Sequence, residues 1–86
     1  MSRAEEIRAK LDEAFSPAEL EVINESGRHA GHAGDDGSGE SHFRVRIRAA
    51  EFAPMSRIER HRAVHKALGA DLVAKIHALA LEIDAA

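Results

Sequence analysis

Apolar residues recur at Ala4, Ile7, Leu11 and Ala14/Phe15, a spacing that places them on one face of a helix. Ser2 and Glu5 precede them at S-x-x-E spacing, which suits a capped first turn. Pro17 follows and cannot continue a helix. A helix over 2–15 is predicted. Residues 20–25, LEVINE, read as a strand, with Leu20 and Val22 on one face and Glu21 and Glu25 on the other. Ile23 breaks that alternation. Residues 26–41 carry five of the six glycines and the pair Asp35-Asp36, so they read as a loop. Residues 42–49, HFRVRIRA, alternate strictly: Phe43, Val45 and Ile47 against Arg44, Arg46 and Arg48. That is a strand with one core face and one solvated face. The two strands flank one loop, so they are expected to pair antiparallel.

A second helix is predicted over 56–72, opened by Ser56 and Glu59 at the same capping spacing. Ile58, His61, His65, Leu68 and Leu72 trace its apolar stripe and bring two histidines onto it or beside it. Gly69 costs about 1 kcal/mol relative to Ala inside a helix and marks where the helix ends or loosens. Residues 75–83, KIHALALEI, read as a third strand. His77, Leu79, Leu81 and Ile83 share one face, and Ile76, Ala78 and Ala80 the other. A strand, a helix and a strand make a right-handed parallel crossover. The expected fold is one α+β domain over 1–86, in the order α-β-β-α-β. Its helices cover one face of a three-stranded mixed sheet.

Composition narrows the function classes. A chain of 86 residues buries only about 60–65% of its unfolded surface, so its core is thin. It has no cysteine, which excludes disulfides and means that thiolates at any soft metal site must come from another molecule. The net charge of -3 argues against a dedicated nucleic-acid binder, and three Phe with no Trp or Tyr leave few platforms for stacked bases. No apolar run is long enough to span a membrane, and MSRAEEIRAK lacks the apolar middle of a leader peptide. A cytoplasmic protein is expected.

The candidate chemistry lies in the six histidines. His61 and His65 have the spacing of a zinc helix, but HRAVH lacks the glutamate of H-E-x-x-H. They read first as packed side chains. His42 opens a strand and reads as a partner of the loop. His29 and His32 lie in the loop and read as solvated. His77 reads either as a satisfied residue at the core's edge or as an exposed ligand at the sheet's rim, and spacing alone favours the first. Arg44, Arg46 and Arg48 stand about 7 Å apart on one strand face. With Arg57, Arg60, His61, Arg62 and Lys66 they make a candidate nucleic-acid or partner surface. Glu21 and Glu25 can neutralise part of it across the strands. No G-x-S-x-G turn or phosphate-binding G-x-x-x-x-G-K-[ST] loop is present, and no enzymatic activity is expected.

The ordered set LEVINES, a loop His, SHFRVRI, RHRAVH and IHALALEI resembles the BolA family from about Ile7 to Ile83. The resemblance implies a class II KH-like fold with the element order given above. It also implies a monothiol glutaredoxin partner and a bridging [2Fe–2S] cluster held only in the complex, shared with glutaredoxin and its glutathione. His77, in H-A-L-A, falls on the family's constant ligand. The loop ligand falls on His29, with His32 as the alternative, and His61 falls on a structural or interface position. Imidazoles in place of thiolates raise a cluster's potential and make its ligation pH-sensitive. The glycine-rich loop would let one imidazole reach a cluster that arrives with a partner. Cluster trafficking or iron and redox regulation is the implied role, for a protein that alone is a monomer or weak homodimer.

A rival reading within the same family is a DNA-binding transcriptional regulator using the KH-like basic face. FAPMS, with Pro54, stands where a KH-type G-x-x-G loop would be, and its stiffness disfavours close phosphate approach. A third reading is an interaction module whose histidines only tune a glutaredoxin interface.

Overall fold

A computed structural model describes residues 2–26 and 41–86. The first helix, α1, runs Arg3–Phe15 with Ser2 as its N-cap, the Ser2 hydroxyl accepting from the Glu5 N–H. Ile7, Leu11 and Phe15 form its buried face. Strand β1 (Glu19–Asn24) pairs antiparallel with β2 (His42–Arg48), and β2 pairs parallel with β3 (Ala78–Asp84). These strands make a mixed sheet in the order β1-β2-β3. Between β2 and β3 lie a 3-10 turn (Ala50–Phe52), α2 (Arg57–Leu68) and α3 (Ala70–Ala74). The expected α+β order and mixed sheet are present, with the crossover helix divided in two.

The alternation of β2 becomes the two sides of the sheet. Phe43, Val45 and Ile47 are buried and meet Ile7, Leu11 and Phe15 of α1 and Val64 and Leu68 of α2 in one core. Phe52, from the 3-10 turn, is fully buried, with its ring centroid 4.9 Å from that of Phe15. On the other side Arg44, Arg46 and Arg48 meet carboxylates from both neighbouring strands. Arg44 Nε lies 3.2 Å from Glu25, Arg48 Nη1 lies 3.1 Å from Glu19, and Glu82 reaches both Arg44 and Arg46. Such solvent-facing pairs add little to stability, because water screens them. They do leave little unpaired positive charge on that face.

Three expectations need correction. The stripe drawn through Ile58 and the two helix histidines is not the buried face of α2. Ile58 is 62% exposed, His65 is exposed and His61 is half-buried. Val64 and Leu68, four residues apart, point at α1 and β2, and packing sets the phase of the helix. The second helix also stops before 72. Gly69 takes φ +87°, a left-handed value that favours glycine. The Gly69 N–H returns to the His65 carbonyl, and Lys10 Nζ from α1 donates to the Leu68 carbonyl at 3.0 Å. The chain then restarts as α3. Finally, β3 begins at Ala78 rather than Lys75. Ile76 is buried and closes the core, and His77 lies one residue ahead of the strand.

The start of α2 is a full capping box: Glu59 N–H donates to the Ser56 hydroxyl, and Ser56 N–H donates to the Glu59 carboxylate at 2.8 Å. The backbone hydrogen bond from Ser56 holds the Glu59 carboxyl below its usual pKa, with the Ser56 hydroxyl and Arg62 helping. A lowered folded-state pKa adds stability above the unfolded pKa, and that stability is lost as pH falls through the folded one. Glu59→Gln is therefore expected to lower the thermal midpoint at pH 7 and to leave it close to wild type at pH 2. Equal midpoint changes at both pH values would contradict the cap's ionic character.

Candidate functional site

The described residues bury three polar side chains, Ser26, Ser41 and His42, and all three meet at the end of the sheet where β3 begins. Desolvated hydroxyls and imidazoles need partners, and each has them. Asn24 Oδ1 accepts from the Ser26 N–H at 2.9 Å, shaping the turn out of β1. The Ser26 hydroxyl oxygen accepts from the Ser41 N–H at 2.9 Å and the His42 N–H at 3.1 Å. Ser41 Oγ lies 2.7 Å from His42 Nδ1. The Glu25 N–H donates to the His42 carbonyl at 2.8 Å. These bonds draw together the two ends of the segment 27–40.

The same cluster reaches His77. The Ser41 carbonyl accepts from the His77 N–H at 2.9 Å and the Ala78 N–H at 3.2 Å. His42 is 6% exposed, and its ring centroid lies 5.2 Å from that of His77, with the planes 49° apart. His77 itself is exposed. Spacing alone favoured a satisfied residue at the core's edge, and the fold corrects this: His77 is exposed at the sheet's rim. The arrangement is a solvent-facing imidazole on an anchored backbone, backed by a second, buried imidazole.

The remaining site residues fall elsewhere. His29 and His32 lie outside the described residues. His61 borders a groove with Met55, Arg57, Arg60, Leu81 and Ile83, at the other end of β3. Ile83 lies five positions along the strand from Ala78, about 16 Å at strand rise. The proposed basic surface is divided between opposite faces, because the arginines of β2 point away from the side on which α2 packs. The former are ion-paired. Among the described residues Arg57, Arg62 and Lys66 have no ion pair. Arg60 serves the fold: its guanidinium donates to the Phe52 carbonyl at 2.9 Å and the Ile83 carbonyl at 3.4 Å. No group of three or more His, Cys, Asp or Glu among the described residues is placed to hold a metal ion, and no described helix is long and apolar enough to cross a membrane.

The sequence reading did not find the Ser26–Ser41–His42 cluster. The available signal was small polar residues at both ends of one loop, N-E-S before it and S-H-F after it.

A family profile described as BolA-like protein matches residues 11–86. An uncharacterized protein in the cobS 5' region of a Sinorhizobium species is 58% identical over 83 residues, covering 95% of this chain and 89% of that protein. BolA-like protein 1 of Mus musculus is 50% identical over 76 residues, covering 88% of this chain and 53% of that protein. This chain thus spans about half the length of the mouse relative. The DNA-binding transcriptional regulator BolA of Vibrio cholerae is 41% identical over 75 residues, covering 87% of this chain and 67% of that protein. Among solved structures, BolA1 from Arabidopsis thaliana superposes with a TM-score of 0.84 at 37% identity, covering 99% of this chain and 93% of that one. The BolA domain of SufE1 from Arabidopsis thaliana gives 0.83 at 36%, with the same coverage.

Proposed function

This chain belongs to the BolA-like family, and from that premise we propose that it is a non-enzymatic adaptor that pairs with a monothiol glutaredoxin in the cytoplasm. In the pair it would share a [2Fe–2S] cluster, for cluster trafficking or iron and redox regulation. The observation that carries this reading is His77: an exposed imidazole whose own N–H and that of Ala78 both donate to the Ser41 carbonyl.

The donor set fits a shared cluster and not a resident one. A [2Fe–2S] cluster takes four ligands besides its bridging sulfides. This chain has no thiolate, and its described residues contain no three-donor group. His77 would supply one imidazole and His29, or else His32, another. The partner and its glutathione would supply thiolates. The bound cluster would contribute a one-electron redox centre, tuned upward in potential by imidazole ligation. This chain's part is to present a neutral imidazole at a fixed place and to bring a second on the segment that leaves Ser26 and returns at Ser41.

Co-expression with a monothiol glutaredoxin tests the reading. A co-purifying, brown pair with about two irons per heterodimer is the expected result. A colourless pair, or no pair, would overturn it.

A second reading, DNA binding, is favoured by one observation: Arg57, Arg62 and Lys66 on α2 have no ion pair among the described residues. The Vibrio relative is named a DNA-binding regulator. On this reading the contact is made by α2 and not by the sheet, whose arginines are already paired. Sequence-selective retention of duplex DNA at moderate salt, lost in an Arg57→Glu/Arg62→Glu variant, would support it.

A further inference from the structure

The buried polar residues of the described structure are gathered in one place, directly behind His77. The rest of the core is apolar. Burying hydroxyls and an imidazole contributes little net stability even when every partner is present. A loop root could be closed by backbone bonds and apolar side chains instead. The concentration of polar groups therefore calls for a role beyond packing.

The connectivity suggests that role. Ser41 acts at two points. Its hydroxyl meets His42 Nδ1 at 2.7 Å, and its carbonyl accepts the His77 N–H at 2.9 Å. The hydroxyl fixes the tilt of the His42 ring, and the carbonyl fixes the backbone from which the His77 ring projects. Ser26 holds the backbone of both Ser41 and His42 from the other side of the loop. The His42 ring then lies against the His77 ring, with centroids 5.2 Å apart, within the range of favourable tilted ring contacts. A side chain as exposed as His77 would otherwise sample several rotamers, and a ligand that must be ordered on binding loses affinity.

We propose that Ser26, Ser41 and His42 form a positioning seat that holds the His77 imidazole in one orientation before any partner arrives. His42 is here a positioning residue acting through His77, and Ser41 acts through His42. This rests on the reading of His77 as a ligand, but the ordering of its ring can be measured without a cluster. The seat also accounts physically for the N-E-S and S-H-F tripeptides. Asn24 and Ser26 shape one end of the loop, Ser41 and His42 the other, and together they aim a residue on a third segment.

Two substitutions separate aiming from folding. His42→Asn keeps an amide near the place of Nδ1, so Ser41 retains a partner, while the ring beside His77 is lost. Ser41→Ala keeps the ring and removes its 2.7 Å contact at Nδ1. In the isolated protein, the three-bond couplings that report the His77 side-chain torsion are expected to show one rotamer in the wild type and averaging in both variants. In the glutaredoxin complex, transfer of iron to a chelator is expected to be about 10–100-fold faster, the usual penalty for losing a ligand's outer support. Wild-type couplings in a folded His42→Asn protein would overturn the proposal. Averaged couplings with iron transfer within twofold of wild type would overturn the functional half of it. If the wild type forms no cluster, the proposed function fails, and the couplings alone still decide whether His42 orders His77.

Discussion

Phe52→Ala is expected to cost about 3–5 kcal/mol, the usual range for deleting a buried phenyl ring. A domain of 86 residues has about 4–13 kcal/mol in all, so the substitution removes from about a quarter of that stability to all of it. Phe52 has no exposed surface and sits against Phe15, Val64 and the sheet residues in a single core. Its ring centroid lies 4.9 Å from that of Phe15, tilted by 46°, so deletion removes both burial and an aromatic pair. Phe52→Leu, which keeps most of the volume, should lose far less. Urea unfolding followed by far-ultraviolet circular dichroism gives both values. A loss below about 1 kcal/mol for the alanine variant would show that the 3-10 turn does not anchor this core.

His77→Ala is expected to have the opposite profile: no loss of fold and a large loss of function. The side chain is exposed, and surface substitutions of this kind usually change stability by no more than about 0.5 kcal/mol. On the proposed assignment, the visible circular-dichroism spectrum of a cluster-bearing glutaredoxin pair should disappear or change sign, because one iron would lose an imidazole. His29→Ala and His32→Ala, compared side by side, identify the second donor as the one whose removal also changes the spectrum. An unaltered spectrum in His77→Ala would overturn the ligand assignment, even if the two proteins still associate.

Much of the fold was legible in the sequence because its strongest signals are local. Alternation in HFRVRIR leaves β2 only one way to face a core, and Ser56 with Glu59 marks the start of α2 through two reciprocal bonds from backbone N–H to side chain. The cross-strand role of Glu21 and Glu25 followed from antiparallel pairing. Glu82 did not, since the parallel register that sets Arg46 beside it is fixed by the crossover and not by any short pattern. Ile58 was misplaced because α2 offers two plausible apolar stripes, and contact with α1 and β2 selects the one through Val64 and Leu68. Phe52 was not assigned to the core because three residues of 3-10 turn have no periodicity to detect. At the site, His77 was identified by resemblance, whereas its exposure depends on where β3 starts. In the Ser26–Ser41–His42 cluster, Ser26 lies 15 and 16 positions from its two partners, and small polar residues at both ends of a loop do not by themselves say which of them pair.

The interruption at Gly69 has an effect well beyond its own turn. An unbroken helix to Leu72 followed by a strand from Lys75 would have carried His77 into the pleat, on the same side as Leu79 and Leu81. Instead α3 carries the helix on to Ala74 and the strand starts at Ala78, leaving Ile76 to plug the interior and His77 to emerge at the rim. The break at one left-handed glycine, steadied by a lysine reaching over from the first helix, thus precedes a short further helix after which one side chain turns inward and its neighbour stays where the outside world can touch it.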